Sequence, residues 1–396
     1  MAVKVTGCAI YSKQDWVQND CLKYENGRIV SIGPAGNEKN ERVYHFPSNY
    51  KCIPGMIDMH IHGADGADTM DATPKALSTI AKALAREGTT SFLATTITQS
   101  KEAIEKALVN AADVIGHQEP GEAEILGIHL EGPFINPEKR GAQPDEYIID
   151  ADAKCFDRWQ ALSGKAIKEV TLAPEIKGGL ELIRHLAEQG VVASIGHSNG
   201  VEEDVSRAIT AGASQVTHLY NGMRGMHHRE PGILGGALLH DELYTEMIVD
   251  GRHVCQEMVH LAYKLKGSDR VILITDAMRA KCLKNGTYDL GGQKVHVRDG
   301  LAVLSSGTLA GSVLKMDEAI KNMLTFTDAT IEDIVQMGAV NPALQCGVFH
   351  RKGSLEEGKD ADFIILDDKN RLVMTVCRGV TAFIRKTRRS GASCAD

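Results

Sequence analysis

A chain of 396 residues, 43% of them hydrophobic, has apolar surface enough for one large core or two unequal ones. Its 44 basic and 52 acidic residues leave a net charge of −8, and no run of Lys and Arg interleaves with aromatics, which argues against nucleic acid as a partner. No apolar run reaches the length of a membrane span, and the first residues, broken by Lys4, Gly7 and Ser12, lack the h-region of a secretory signal.

Nine cysteines, an odd number with no C-x-x-C pair, are scattered from Cys8 to Cys394. That pattern fits neither a disulfide framework nor a thiolate zinc site, and it points to a reducing cytoplasm.

In chain order, the first readable element is a β-hairpin over Leu22 to Ile32, turning at Asn26-Gly27. Eight β-rich runs follow: Met56 to His62, Thr90 to Thr98, Glu124 to Glu131, Val170 to Pro174, Val191 to His197, Gln215 to Leu219, Glu246 to Asp250 and Val271 to Asp276. Between them, Pro74 to Glu87, Lys101 to His117, Leu180 to Gln189 and Val201 to Ala211 carry apolar residues at helical spacing. Strands alternating with amphipathic helices make a parallel sheet, and eight such strands close a barrel. Asp317 to Phe326 and Ile331 to Ala339 read as helices leading out of it. Asp362 to Val376 and Val380 to Ile384 read as further hairpin strands. Each terminal β segment has too little apolar surface to stand alone, so both are expected in one small sheet domain. The expected fold is therefore α/β: a (β/α)8 TIM-type barrel over residues 55–352, and a small β-sandwich built from residues 1–54 and 353–396. The basic cluster Arg385-Lys386-Thr387-Arg388-Arg389 reads as a solvated tail without function.

In such a barrel the chemistry gathers at the C-terminal ends of the strands. His60 and His62 end the first run, and the two-residue period of a strand puts both on one face. Glu131 ends the third, His197 the fifth and Asp276 the eighth, while His218 follows Val216-Thr217 in the sixth. Imidazole and carboxylate donors without thiolates suit a catalytic divalent ion, zinc or iron, with an open coordination position. Such an ion lowers the pKa of a held water from 15.7 to about 7. His129, on the face of Glu131, reads either as support for a ligand or as a buried structural histidine. His227 and His228 read as solvated loop residues.

These residues resemble the amidohydrolase superfamily, which carries His-x-His on the first barrel strand, a bridging carboxylate, two further histidines and an Asp on the eighth strand. Gly353 to Asp362 is similar to that superfamily's return into its small β domain. Within it, Leu130-Glu131-Gly132-Pro133-Phe134, Gly196-His197-Ser198, His218-Leu219-Tyr220-Asn221-Gly222-Met223, Arg229-Glu230-Pro231-Gly232, Asp250-Gly251-Arg252-His253 and Thr275-Asp276-Ala277-Met278 resemble the N-acetylglucosamine-6-phosphate deacetylase family over essentially the whole chain.

The resemblance implies hydrolysis of an acetamide on a phosphorylated amino sugar, with Asp276 first as general base and then as general acid toward the departing amine. It leaves one ion or two open, since some family members lack the first-strand histidine pair and work with one. This chain keeps both histidines, which favours two, one on Glu131, His197 and His218, the other on His60, His62 and Asp276 with Glu131 bridging. Many superfamily members bridge with a carboxylated lysine at the fourth strand, but Thr171-Leu172-Ala173-Pro174 has none. For the substrate it implies Arg229, His253 and the Asn221 and Gly222 backbone at the phosphate, Ala142 and Gln143 toward the sugar or acetyl group, and Leu309, Ala310 and Gly311 lining the pocket. Gln143 stands where relatives often have His, and an amide carries no proton. A symmetric homodimer is the expected assembly. The alternatives are an amidohydrolase acting on a cyclic amide or ureide, and a barrel that serves only as a scaffold.

Overall fold

The structure is a computed structural model that describes residues 2–18, 20–34 and 41–385. The basic cluster lies outside them except for Arg385.

Eight parallel strands form the central sheet in sequential order: β1 (Met56–Ile61), β2 (Thr89–Thr95), β3 (Glu124–Glu131), β4 (Ile167–Leu172), β5 (Val192–Ile195), β6 (Gln215–Val216), β7 (Tyr244–Ile248) and β8 (Val271–Ile274). Each is followed by one of eight helices: α1 (Pro74–Ala85), α2 (Lys101–Ile115), α3 (Ala153–Leu162), α4 (Gly179–Glu188), α5 (Glu202–Ala211), α6 (Gly232–Leu239), α7 (Gln256–Lys266) and α8 (Met316–Phe326). This is the expected TIM-type barrel. Ile57, Met59 and Ile61 of β1 and Ile128 and Leu130 of β3 join the main apolar core, leaving the alternate positions, among them His60, His129 and Glu131, for the other face.

Closure between β1 and β8 rests on hydrogen bonds beyond the strand ends. The Asp276 N–H donates to the His60 carbonyl at 2.8 Å, and the His62 N–H donates to the Ala277 carbonyl at 2.9 Å. Buried Asp58 accepts from the Thr275 hydroxyl at 2.6 Å and from its N–H at 3.2 Å.

The termini meet as expected. One sheet orders Arg28–Gly33, Cys21–Glu25, Val3–Thr6 and Arg42–His45; the other orders Val380–Ile384, Leu372–Cys377, Phe363–Leu366, Lys51–Pro54, Ala9–Ser12 and Asp15–Val17. Phe363–Leu366 pairs antiparallel with Lys51–Pro54, so the C-terminal hairpin is stitched to the N-terminal segment. Val5, Ile10, Leu22, Tyr24, Phe363 and Met374 fill their shared core. The hairpin turns at Asn26 and Gly27, with φ of 49° and 78° as a two-residue type I′ turn requires.

Four features differ from the sequence reading. Strands β5, β6 and β8 stop two residues before His197, His218 and Asp276. Met316–Phe326 is the eighth barrel helix rather than a connector. The helix from Ile331 changes to π geometry over Gln336–Val340. A three-stranded sheet, Gly286–Leu290, Gln293–Arg298 and Leu301–Leu304, is inserted after β8 and packs Leu290, Val295 and Ala302 against Ile97 and Met278. No helix among the described residues is long and apolar enough to cross a membrane. The eight cysteines within them are free thiols.

A buried ion cluster ties the barrel to the small domain. Glu124, Asp360 and Asp362 come close enough together to suggest a cation site. Its centre is already held by Lys352, 1% exposed, whose ammonium lies 2.7 Å from Glu124 and 3.1 Å from Asp360 and also bonds Asp362. Burial opposes ionisation of Glu124, yet Arg351 and Lys352 outweigh it and hold its pKa at about 2. Lys352→Met is expected to cost about 3–5 kcal/mol, because the acids stay buried without their central cation. A fall in the urea midpoint measures it. For Glu124 the sign follows from its depressed pKa: its contribution is present above the ordinary carboxylate range and is lost as pH falls through about 2.

Candidate active site

The six expected ligand residues converge at the C-terminal mouth of the barrel. Glu131, at the end of β3, stands in the middle. Its Oε1 lies 3.2 Å from both His197 Nε2 and His218 Nε2 and 3.4 Å from His60 Nε2, while its Oε2 lies 3.4 Å from His62 Nε2. Asp276 Oδ1 lies 3.3 Å from His62 Nε2 and 3.5 Å from His60 Nε2. The Nε2 atoms of His197 and His218 are 3.1 Å apart.

Three of these side chains are thrown inward by strained backbone. His197, His218 and Asp276 have φ of 48°, 31° and 47°, a left-handed region costly for non-glycine residues. All three sit two residues past a strand end, where the chain turns sharply out of the sheet. Such strain persists where the surroundings over-determine it, and it clusters at functional sites.

The donor set fits a metal. Ligand atoms around a four-coordinate ion with bonds of about 2.0–2.1 Å stand about 3.3 Å apart, and the separations here run from 3.1 to 3.5 Å. His60 Nε2 is buried, without a hydrogen-bond partner, and aimed at Glu131 and Asp276. Two of the four remote nitrogens are anchored where a ligand's tautomer would need it: His197 Nδ1 meets the Lys139 carbonyl at 2.8 Å and His60 Nδ1 meets Glu246 at 3.0 Å, whereas Nδ1 of His62 and of His218 has no partner. Two ligand groups stand side by side, His60 with His62 and Asp276, and Glu131 with His197 and His218; a third set joins His60 to His129 and Glu246, two residues that do not line the pocket at the barrel mouth.

Charge balance follows from this crowding. Burial works against ionisation of Glu131, but His60, His197 and His218 outweigh it and hold the carboxyl well below its usual range. Asp276 is lowered in the same way: burial opposes, and His60 and His62 prevail. Conversely, burial disfavours a charged His60, yet Asp276, Glu131 and Glu246 raise it well above the ordinary imidazole value.

A pocket of about 200 Å³ opens over the cluster. His62, Glu131, His197, His218 and Asp276 form its floor, and Ala142, Gln143, Asn221, Gly222, His253, Leu309 and Gly311 are among its walls. Gln143 donates to Glu131 Oε2 at 2.6 Å. His253 is paired with Asp250 at 2.7 Å. Two expected lining residues are not brought there. Ala310 is fully buried and packs into the core of the inserted sheet. Arg229 is exposed on loop 223–231 and lies 2.6 Å from His228 Nε2, so within one chain it stays out of the pocket. The outward course of that loop, invisible in residue types, accounts for the difference. No Lys or Arg is among the lining residues.

His129 touches no ligand carboxylate. It bonds the Thr171 hydroxyl at 2.7 Å and packs edge-on against His60 with ring centroids 4.5 Å apart. Burial, reinforced by His60, lowers its pKa to about 3, so it is neutral. Sequence reasoning missed Glu246, Gln215 and Glu169, which form a buried polar layer under the site. The available signal was a carboxylate in the middle of an apolar run, at Glu246 in β7 and Glu169 in β4.

Gly222 has little freedom. A Cβ there would lie 2.9 Å from His197 Nδ1 and 3.2 Å from its Cε1, at a φ of +58°. Gly222→Ala is expected to displace His197 and lower kcat/KM by about 10²-fold, the scale of a 1 Å misplacement in a catalytic array. Steady-state kinetics on the folded variant would read it.

The amidohydrolase family model matches residues 52–382. The N-acetylglucosamine-6-phosphate deacetylase of Bacillus subtilis (strain 168) is 47% identical over 381 residues, 96% of each chain. This chain belongs to the amidohydrolase family. Among solved structures, the Pasteurella multocida N-acetylglucosamine-6-phosphate deacetylase superposes with a TM-score of 0.90 at 29% identity, over 96% of this chain and 99% of that one. A variant of the Mycobacterium smegmatis deacetylase, in complex with N-acetyl-D-glucosamine-6-phosphate, gives 0.89 at 27% identity, over 96% and 99%. Amidohydrolases depend on metal, and the two ligand groups at the barrel mouth are this member's candidates for holding it.

Proposed function

We propose that this chain hydrolyses the acetamide of N-acetyl-D-glucosamine 6-phosphate, giving acetate and glucosamine 6-phosphate in amino-sugar catabolism. The observation that carries the reading is the meeting of four imidazole Nε2 atoms and two carboxylates under a pocket with a separate His253, Asn221 and Gly222 wall. Relatives that share most of this chain bear the deacetylase name.

Glu131, His197 and His218 would hold one ion and His60, His62 and Asp276 a second, with Glu131 shared; zinc or iron suits such donors. That both Glu131 oxygens face histidines supports two ions over one. Bound there, a divalent ion supplies Lewis acidity that acidifies water and polarises a carbonyl. Asp276, ionised and facing the pocket, accepts a proton from the attacking water and returns it to the leaving amine nitrogen. Gln143 orients Glu131 through its amide and carries no proton.

The substrate's phosphate, with about −1.5 to −2 charges, meets His253. Burial opposes charge on that ring, but Asp250 prevails and raises its pKa, which favours the cation. We assign Arg229 to the same phosphate from a second copy of the chain in a homodimer, since among the described residues no Arg or Lys lines the pocket of one protomer. The free thiols favour a reducing cytoplasm.

Acetate release from the phosphorylated sugar, compared with N-acetylglucosamine, tests the reading; no release from either would reject it. His253→Gln is expected to raise KM for the phosphorylated substrate by about tenfold, the scale of one charged hydrogen bond, and to leave the unphosphorylated sugar unaffected. In the unaltered chain KM should also rise as pH climbs through the raised His253 pKa.

A further inference from the structure

We propose that Glu246 is the positioning residue that holds both halves of the metal centre in register. It sits on β7, a strand that supplies no ligand, and it is fully buried. Its Oε2 faces two groups at once: His60 Nδ1 at 3.0 Å and the backbone N–H of His218 at 3.2 Å. Its Oε1 accepts from Gln215 Nε2 at 2.9 Å, and its carbonyl accepts the Leu219 N–H at 2.8 Å. One residue therefore grips a histidine from each ligand group, because His60 belongs to the set with His62 and Asp276 and His218 to the set with Glu131 and His197.

Both grips act on orientation. A proton on His60 Nδ1, donated to Glu246, leaves the Nε2 lone pair directed at Glu131 and Asp276. His218 is held in a left-handed turn at φ 31°, and the bonds from its own N–H and from Leu219 to Glu246 fix that turn against β7. A carboxylate is needed because three side-chain and backbone donors converge on it. An amide of the same shape offers one acceptor oxygen and places two N–H groups where donors already point, so at least one buried donor is left unpaired.

The inference rests on the metal reading above, and its test separates the two. Wild type, Glu246→Gln and Glu169→Gln are stripped and titrated with zinc against a chromophoric chelator, and each is loaded with cobalt for its visible spectrum. Glu169→Gln is the paired comparison: equally buried, Glu169 shares Gln215 with Glu246, lies against Glu246 itself and approaches His129, but it bonds no proposed ligand. Glu246→Gln is expected to weaken zinc binding by about 10–100-fold for both ions and to shift the cobalt bands, whereas Glu169→Gln keeps the wild-type affinity and spectrum. If Glu246→Gln folds poorly, Glu246→Asp keeps the charge, withdraws the carboxylate by one methylene, and is expected to lose the same affinity. Wild-type affinity and spectrum in the folded Glu246 variants, or an equal loss in Glu169→Gln, would overturn the positioning role while leaving the metal centre standing. A wild-type chain that takes up no divalent ion would remove the metal reading itself.

Discussion

Asp276→Asn is expected to lower kcat by about 10²–10⁴-fold, the usual contribution of a placed acid and base, while metal content and KM stay near the wild-type values. Asp276 projects from a strained turn just past β8 and lines the pocket, and its Oδ1 faces His60 and His62. Asparagine keeps an oxygen in that position and so keeps a ligand, but it cannot take a proton from water or hand one to the amine. The sign of the pH effect follows from charge: in the metal-free cluster the two histidines outweigh burial and hold Asp276 below the usual carboxylate range, and an ion that had displaced their protons would favour the base form by its own positive charge. The acid limb of kcat in the unaltered chain should accordingly lie at low pH and vanish from the residual activity of the variant. Rates of acetate release across pH, with elemental analysis of both proteins, give the answer. An Asn variant that turns over at the wild-type rate would assign the proton traffic elsewhere.

How much of this was readable from residues alone differs by feature. All eight barrel strands were legible because fully buried parallel strands are short apolar runs bounded by turn residues, and helices α1, α2, α4 and α5 because one face is apolar. α6, with the sequence Gly-Ile-Leu-Gly-Gly-Ala-Leu-Leu, is apolar all round and buried, so it carries no helical period to find. The inserted sheet carries turn signals, Gly291-Gly292 and Asp299-Gly300, but only its middle strand, Gln293–Arg298, alternates in burial, so the segment between β8 and the expected helix at Asp317 has little strand period to find.

At the site the ligand candidates were legible because each ends or just follows an apolar run. Their exact placement was not, since His197, His218 and Asp276 reach inward through left-handed turns that residue type does not announce. Glu246 was hidden for the opposite reason. A single carboxylate within Tyr-Thr-Glu-Met-Ile looks like the solvent face of a half-exposed strand, and only barrel closure turns that face inward. Arg229 marks the limit of motif reasoning: a loop's residues give its chemistry and not its path.

Removal of metal is expected to abolish acetate release, and restoring zinc or iron to recover it, with the strength of rebinding set by pH. Without an ion the cluster's carboxylates retain protons on the facing imidazoles. Burial alone would keep His60 and His62 neutral, but Asp276, Glu131 and, for His60, Glu246 raise both pKa values. An ion needs the neutral ring, so each raised pKa means a proton to displace. Apparent affinity should therefore climb with pH until it passes those pKa values and then level off, and binding should release protons in proportion, measurable by calorimetry in buffers of different ionisation enthalpy. The same linkage appears in stability, since a ligand at 1,000 times its Kd adds about 4 kcal/mol to the folded state, and the rise in melting temperature on adding zinc should be larger at pH 8 than at pH 6. Undiminished turnover in chelator-treated protein, with elemental analysis finding no divalent ion, would mean that the converging imidazoles serve a purpose other than holding one.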